Sequence, residues 1–330
     1  MTTEANGVLP MPSAPRELTE WIIAQRSARA SALDAHRPYV FFLEKERMES
    51  GKVVDSGVIL LTNKECPWRC VMCDLWKNTV TTSVPPGAIP SQIEFSLDAW
   101  RNQGVKVEQI KLYNSGSFFD SAAIPLGDYP AIADKIRFAK HVVVESHPRL
   151  VGQRALRLRD LLDGSLEVAM GLETAHPGVL ERLNKKFTLS HFADAARLLR
   201  KEGIQVRAFV LVKPPFMNEE EGLEWAVKSA DFAFSCGANV VSLIPTRPGN
   251  GAMDRLLESG EWSPPKLSTL EKAFQSALSL NKGRVFADTW NPEIFSSCAV
   301  CFESRLCRLR EINLTQRESP LIQCSQCNGL

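Results

Sequence analysis

From residue 57 onward the chain alternates between short apolar runs, rich in β-branched residues, and longer stretches with helical periodicity. Short apolar runs bounded by polar or turn residues are typical of buried strands. The pattern predicts strands at residues 58–61, 107–113, 141–145, 166–170, 206–212, 240–244 and 285–287. Apolar residues at helical spacing predict helices between them, at residues 188–202, 218–235 and 266–280.

This alternation predicts the fold class. Strands joined through helices form βαβ units, and consecutive units build a parallel sheet. Six or seven units predict an α/β fold of the (βα)6 type, a partial TIM barrel. In such barrels the functional side chains lie at the carboxyl ends of the strands.

The regions outside this repeat differ in composition. We expect residues 1–56 to form a tail and a helical extension, because 1–15 are rich in proline and glycine and 16–34 are compatible with a helix. Residues 57–290 then form the barrel. Residues 291–330 carry five of the nine cysteines and predict a small metal-binding module.

Composition narrows the function classes. The formal net charge of +1 disfavours nucleic-acid binding through a globally basic surface, although a local patch stays open. Neither a secretory signal nor a long apolar membrane span is apparent, so we expect no membrane association. Nine cysteines, an odd number, do not suggest a disulfide framework. The expected location is cytoplasmic, where clustered cysteines are more often metal ligands or catalysts.

One motif decides the chemistry. Cys66, Cys70 and Cys73 follow the first predicted strand in a C-x3-C-x2-C pattern. Thiolates are soft ligands that suit an iron–sulfur cluster, and a loop with three of them leaves one iron of a [4Fe-4S] cluster open. Two alternatives remain: a zinc site with a fourth ligand from elsewhere, and free cysteines on one helix face.

This spacing resembles the radical S-adenosylmethionine (SAM) superfamily over residues 57–290. The resemblance implies a [4Fe-4S] cluster and SAM as cofactors. It implies that the reduced cluster passes one electron to SAM, and that the resulting 5′-deoxyadenosyl radical abstracts hydrogen from a substrate. A one-electron donor such as flavodoxin or ferredoxin is the implied partner. No catalytic side chain beyond these ligands is identified.

The resemblance also suggests residues that contact SAM. Asn114, Ser115, Gly116 and Ser117 stand where the family has a segment that binds the SAM amino group. The family's usual Gly-Gly-Glu is absent here, so we expect contacts from backbone amides and carbonyls. The alternative is a simple glycine turn.

Four more residues complete the expected SAM site. Met72 stands where the family places a hydrophobic residue near the adenine. Glu145 and Glu173 end adjacent strands and suit ribose hydroxyls or the amine, unless they are helix caps or salt-bridge partners. Lys213 suits the SAM carboxylate, the alternative being a solvated loop lysine.

Scattered phrases at residues 114–120, 171–174, 184–188 and 213–216 look like the archaeosine synthase radical SAM subunit, near the elongator-type group. That resemblance implies a modified nucleoside in tRNA as the substrate. Arg149, Arg154, Arg157 and Arg159 fit either RNA phosphates or a solvated helix face.

Two other functions remain open: the same radical chemistry on a free metabolite or natural-product intermediate, and a non-catalytic, zinc-stabilised RNA-binding or scaffold protein. At the C-terminus, Cys298, Cys301, Cys324 and Cys327 form two C-x2-C pairs that suit zinc. Because Cys307 makes a fifth thiol, an auxiliary iron–sulfur cluster is the alternative.

Overall fold

A computed structural model describes residues 11–30 and 33–327. Residues 1–10 of the expected tail lie outside the described residues. The helix expected at 16–34 is shorter and forms α1 (Pro15–Ala24). Its buried residues are Leu18, Trp21 and Ile22, and the polar chain that follows offers no apolar stripe to bury, so the helix ends there.

Eight strands form one sheet, in the order in which they occur along the chain. They are β1 (Val40–Arg47), β2 (Val53–Leu61), β3 (Gln109–Asn114), β4 (His141–Ser146), β5 (Ser165–Glu173), β6 (Gln205–Val212), β7 (Val240–Pro245) and β8 (Arg284–Ala287). β1 runs antiparallel to β2, and all later neighbours are parallel. The predicted α/β partial barrel is confirmed.

The sheet begins earlier than the sequence predicted. β1 was missed because charged residues such as Glu44, Lys45 and Glu46 interrupt its apolar positions. It pairs along its whole length with β2, which itself begins at Val53. Residue 57 therefore lies inside a strand, and the division into domains stays a prediction.

Nine further α-helices follow α1 in the described residues, and several of them cover the outer face of the sheet. They are α2 (Ala88–Asn102), α3 (Tyr129–Lys135), α4 (Gln153–Leu161), α5 (Pro177–Arg182), α6 (Leu189–Lys201), α7 (Glu219–Ser235), α8 (Ala252–Glu258), α9 (Leu267–Leu278) and α10 (Ala299–Thr315). The three helices predicted from periodicity correspond to α6, α7 and α9. Asn218 and Glu221 cap the start of α7 reciprocally, each side chain accepting from the other's backbone amide.

The core lies between these helices and the outer face of the strands. Leu112 of β3 and Val210 of β6 are fully buried there, together with Phe192 of α6 and Phe274 of α9. Burying each such side chain stabilises the fold by about 1.5–3 kcal/mol relative to leaving it in water. This packing fixes where the carboxyl ends of the strands stand.

The inner face of the sheet is charged at the amino ends of the strands. Arg207 of β6 donates to Glu167 of β5 over 2.5 Å and to Glu46 of β1 over 2.6 Å. Lys111 of β3 also pairs with Glu46. Burial alone would raise the pKa of Glu46, but the charges of Arg207 and Lys111 outweigh burial and lower this pKa below its usual range. Because β1 and β6 share one ion-pair network, the sheet must be curled.

The C-terminal residues close the open side of the curl. α10 contacts both β1 and β8. Arg284 of β8 donates to the carbonyl oxygen of Arg47 in β1 over 2.8 Å, and Asn313 of α10 bonds the backbone of Ala287. Among the helices of the described residues, none is long and apolar enough to cross a membrane.

Candidate functional site

Three thiols meet in the loop after β2, which we call the cysteine loop (residues 65–79). Burial raises the pKa of Cys66 and of Cys70 to about 12, and it raises the pKa of Cys73 as well. Each of these pKa values is raised further by the charge of another of the three. The predicted ligands are therefore neighbours, each half-buried, and a metal would have to displace their protons.

Two asparagines outside the loop hold its backbone. Asn250 donates to the carbonyl oxygens of Val71 and Cys73 over 2.7 and 3.1 Å. Asn184, in a left-handed conformation with a φ of 59°, donates to the carbonyl oxygen of Arg69 over 2.7 Å. These bonds fix the backbone next to the predicted ligands. Neither asparagine was predicted from the sequence as a site residue.

The predicted segment after β3 packs directly on the cysteine loop. Gly116 has a φ of 120°, and a Cβ there would lie 2.8 Å from the Cys66 Cβ and 3.1 Å from its Sγ. Ser117 bonds Ser146 of β4 through their hydroxyls over 2.9 Å. Only a glycine allows this approach, so Gly116 has a steric reason in addition to its conformational one.

This segment also carries buried polar atoms without partners. Both polar side-chain atoms of Asn114 and the hydroxyl of Ser115 have no hydrogen-bond partner among the described residues. Asn114 is 2% exposed and Ser115 is 1% exposed. An unpartnered buried polar group costs free energy, about 1–3 kcal/mol. The region is therefore suited to a polar ligand.

Two carboxylates and one cation lie at the ends of β4 and β5. Lys185 forms an ion pair with Glu173. Its positive charge also lowers the pKa of Cys70, against the effect of burial, and so favours the thiolate. Burial and, further, Glu173 raise the pKa of Glu145 to about 8. Glu145 and Glu173 were predicted, whereas Lys185 was only part of a matching phrase.

The ion pair explains an unusual backbone. Glu173 has a φ of 65° and follows a bulge in β5 that begins at Gly171. A Cβ at Gly171 would lie 2.0 Å from the Lys185 Nζ and 2.3 Å from a carboxylate oxygen of Glu173. The strand end is thus shaped around this pair of charges.

Lys213 and Met72, the remaining predicted SAM contacts, have partners on other segments of the chain. The ammonium group of Lys213 donates to Glu219 over 2.7 Å and to Ser263 over 2.8 Å. It is buried and paired rather than a solvated loop lysine. Met72 is partly buried and packs against the apolar cluster that includes residues of α1 and α8. Their contacts with SAM stay predictions.

A ring stack supports the loop from the other side. Trp68 lies parallel to His147, with ring centroids 3.7 Å apart. His147 donates from Nε2 to the carbonyl oxygen of Lys185 over 2.9 Å and accepts at Nδ1 from the amide of Arg149. Burial and the charge of Lys185 lower its pKa to about 3. His147 is therefore a neutral support in the described structure.

The C-terminal cysteines form a second, tighter group. The sulfur atoms of Cys298 and Cys324 are 3.9 Å apart, and those of Cys301 and Cys327 are 3.7 Å apart. Within the described residues, these four are the one set of metal-binding side chains whose ligand atoms all lie within 4.8 Å of one another. Cys307 is exposed and does not belong to this set.

Most of the arginines at residues 149–159 bind other groups of the chain. Arg154 donates to the carbonyl oxygen of Phe119, and Arg149 donates to that of Lys186. Arg159 pairs with acidic neighbours, while Arg157 is exposed. Most of these guanidinium groups thus have internal partners, which favours the helix-face interpretation of the stretch.

Comparison with known sequences finds relatives over most of the chain. It is 26% identical over 281 residues to archaeosine synthase subunit beta of Methanosarcina acetivorans, covering 80% of each chain. It is 28% identical over 191 residues to archaeosine synthase subunit beta of Thermococcus kodakarensis, covering 54% of this chain and 57% of that one. No family model matches the chain.

Solved structures share the fold. An archaeal Elp3 from Methanocaldococcus infernus matches with a TM-score of 0.53 and 14% identity, covering 78% of this chain and 64% of that one, under two thirds of its length. A radical SAM methyltransferase from Sphaerobacter thermophilus matches with a TM-score of 0.52 and 13% identity, over 75% and 73%. The predicted resemblance is therefore confirmed at the level of the fold, which the chain shares with these structures.

Proposed function

We propose that the chain is a radical SAM enzyme whose cysteine loop holds a [4Fe-4S] cluster with one open iron. The observation that carries the proposal is that three half-buried thiols of one loop and unpartnered polar groups lie together at the carboxyl end of a partial barrel. One-electron cleavage of SAM at such a site supplies a 5′-deoxyadenosyl radical that abstracts hydrogen from the substrate.

The spacing of the loop thiols supports a cluster. Sulfurs that share one zinc ion lie about 3.8 Å apart, because Zn–S bonds of about 2.3 Å point to the corners of a tetrahedron. Cys66, Cys70 and Cys73 are not such a compact group among the described residues. Thiolates that bind separate irons of one cluster do not need to form such a compact group.

The surrounding charges suit the methionine part of SAM, which carries an amino group and a carboxylate. Lys185 is a buried cation for the carboxylate, with Glu173 as its present partner. Glu145 and Glu173 are acceptors for the amine or the ribose hydroxyls. Asn114 and Ser115 add polar atoms that lack partners. In this proposal these residues bind and orient SAM, while Gly116 keeps the segment close to Cys66.

For the substrate we propose a modified nucleoside in tRNA, accepted near the open iron in the cytoplasm. The support is the similarity to two proteins named archaeosine synthase subunit beta. A flavodoxin or ferredoxin is the proposed electron donor. Stimulation of SAM cleavage by tRNA, and not by free nucleosides or metabolites, would distinguish this substrate from a small molecule.

For the C-terminal group we propose a single zinc ion rather than an auxiliary cluster. The sulfur separations of 3.9 and 3.7 Å match thiolates that share one tetrahedral ion. Arg305 donates to the Cys301 sulfur over 3.1 Å, and it also pairs with Glu271 of α9. Such a charged hydrogen bond stabilises a site with four negative thiolates.

The proposed activity is tested with anaerobically reconstituted chain, dithionite and SAM. We expect 5′-deoxyadenosine from the wild-type chain and a loss of at least about 100-fold after Cys66→Ala, Cys70→Ala or Cys73→Ala. Cys236→Ala is the matched control, since this partly buried thiol lies outside both groups. Full turnover in a loop variant, or a colourless zinc-only wild type, would contradict the proposal and favour a scaffold.

A further inference from the structure

The segment between α1 and β1 lies against the cysteine loop. We call residues 25–30 the arginine arm. A Cβ at Gly251 would lie 2.0 Å from the carbonyl oxygen of Gln25, so the arm crosses directly over the turn before α8. Farther along, the amide of Ala30 donates to the carbonyl oxygen of Lys77 over 2.9 Å. The arm is therefore attached at both of its ends.

Between these ends the arm binds Glu65, the residue directly before the first thiol. Arg26 donates to one carboxylate oxygen over 2.7 Å, and Arg29 pairs with the other. Arg69 of the loop itself lies 3.2 Å from the first oxygen. The carboxylate is 10% exposed, so three guanidinium groups share one buried negative charge.

The arm also binds the far side of the loop. Arg29 donates to the carbonyl oxygens of Thr79 and Trp76 over 3.1 and 3.2 Å. The guanidinium of Arg26 lies over the ring of Trp76, 4.6 Å from its centre. All three thiols stand between Glu65 and Trp76, so the arm fixes both ends of the stretch that carries them.

The same residues also place charge next to the stretch that carries the thiols. Arg26, Arg29 and Arg69 all lie against the single carboxylate of Glu65, the neighbour of Cys66 in the chain. Three cations against one carboxylate leave an excess of positive charge at this contact. Charges in such a shielded region interact more strongly than in water.

We propose that Arg26 and Arg29 are positioning residues that fix the cysteine loop and favour reduction of the cluster it holds. The inference rests on the proposed function. Reduction adds one electron to the cluster, supplied by an external donor, and nothing else is transferred. Nearby cations stabilise the added negative charge, and a nearby carboxylate opposes it. Glu65 therefore acts on the potential in the direction opposite to that of the two arginines.

The test is a redox titration of the reconstituted cluster with dithionite and viologen mediators, followed by electron paramagnetic resonance, without SAM. We expect Arg26→Gln and Arg29→Gln to shift the midpoint potential to more negative values, and Glu65→Gln to shift it to more positive values. A tenfold change in the reduction equilibrium corresponds to about 59 mV for one electron. Arg16→Gln, at an exposed residue of α1, is the matched control and should leave the potential unchanged.

Iron loss to a chelator is the second readout. We expect it to be faster in Arg26→Gln and Glu65→Gln than in Arg26→Lys, which keeps the charge. A merely structural role would speed iron loss without shifts of opposite sign, and that result would overturn the inference. If the Arg26→Gln variant holds too little cluster to titrate, the potential of the Arg29→Gln variant decides between the two roles. Arg29 is the more exposed of the two arginines, so its substitution disturbs the fold less. A wild-type chain without any cluster would instead contradict the proposed function.

Discussion

The two cysteine groups differ in spacing, location and surroundings, although both consist of thiols. The loop thiols stand after the carboxyl end of β2, with a lysine, two carboxylates and unpartnered polar atoms beside them. The C-terminal thiols form a compact group beside α10 and contact one arginine. The first arrangement offers further polar atoms to a ligand, whereas the four sulfurs of the second are close enough to share one ion.

The C-terminal sulfurs form a compact group and the loop sulfurs do not, and this difference separates the two sites. Both patterns occur in the sequence as short cysteine spacings, and these leave more than one metal open. Four sulfurs within 4.8 Å fit a single tetrahedral ion. We infer that the second group is structural, because it joins the last described residues to the start of the helix that closes the barrel.

The largest effect on stability is expected when the C-terminal thiols are removed. Cys298→Ser together with Cys327→Ser should eliminate zinc and lower the free energy of unfolding by several kcal/mol, since metal binding is coupled to folding at such sites. Metal analysis and denaturant unfolding measure the two effects. Cys307→Ser, at the exposed thiol of the same helix, is the control. Zinc that is retained in the double variant would contradict the proposed zinc site. Loss of iron instead of zinc would show that the C-terminal thiols hold an iron–sulfur cluster.

A smaller effect is expected at the contact between Gly116 and the cysteine loop. Gly116→Ala places a Cβ 2.8 Å from that of Cys66 at a φ of 120°. We expect a loss of about 2–3 kcal/mol in unfolding free energy and a lower iron content, because the loop must move. Gly127→Ala, where a Cβ meets no atom within 4 Å, is the control. Equal iron content in both variants would show that the close approach is unimportant.

The smallest effect concerns pH. Burial raises the pKa of Glu145 to about 8, so its carboxyl group stays neutral in the folded chain at pH values where the unfolded chain ionises. That contribution to stability is fully present below the unfolded pKa and is lost as the pH rises through about 8. The free energy of unfolding of the metal-free chain should therefore fall as the pH rises from 5 to 8, which denaturant unfolding measures. Glu145→Gln should flatten this slope, and an unchanged slope would refute the assignment.

Local sequence sufficed for much of the fold. The β-branched runs of β3 to β8 are apolar because helices cover their outer face, and that burial is what the pattern records. The cysteine spacings were visible for the same reason: ligands on one loop are close in sequence. β1 was not visible, since its inner residues, such as Glu44 and Glu46, are charged and their partners Lys111 and Arg207 come from distant strands.

The site was predicted less completely. Arg26, Asn184 and Lys185 bind the loop or its neighbours from segments far away in sequence, and no local pattern marks them. One signal was available for Asn184 and Lys185, since both lie in the phrase at residues 184–188 that resembles the archaeosine synthase subunit. Two glycines also carried information, because Gly116 and Gly171 are required by atoms that only the folded chain brings near.

The most direct measurement is the amount of iron, sulfide and zinc in anaerobically prepared chain. The variants to compare are the wild type, one lacking Cys66, Cys70 and Cys73, and one lacking Cys298 and Cys327. The account predicts about four irons and four sulfides per chain that disappear only with the loop thiols, and about one zinc that disappears only with the C-terminal thiols. Iron that depends on the C-terminal thiols, or zinc held by the loop, would contradict it.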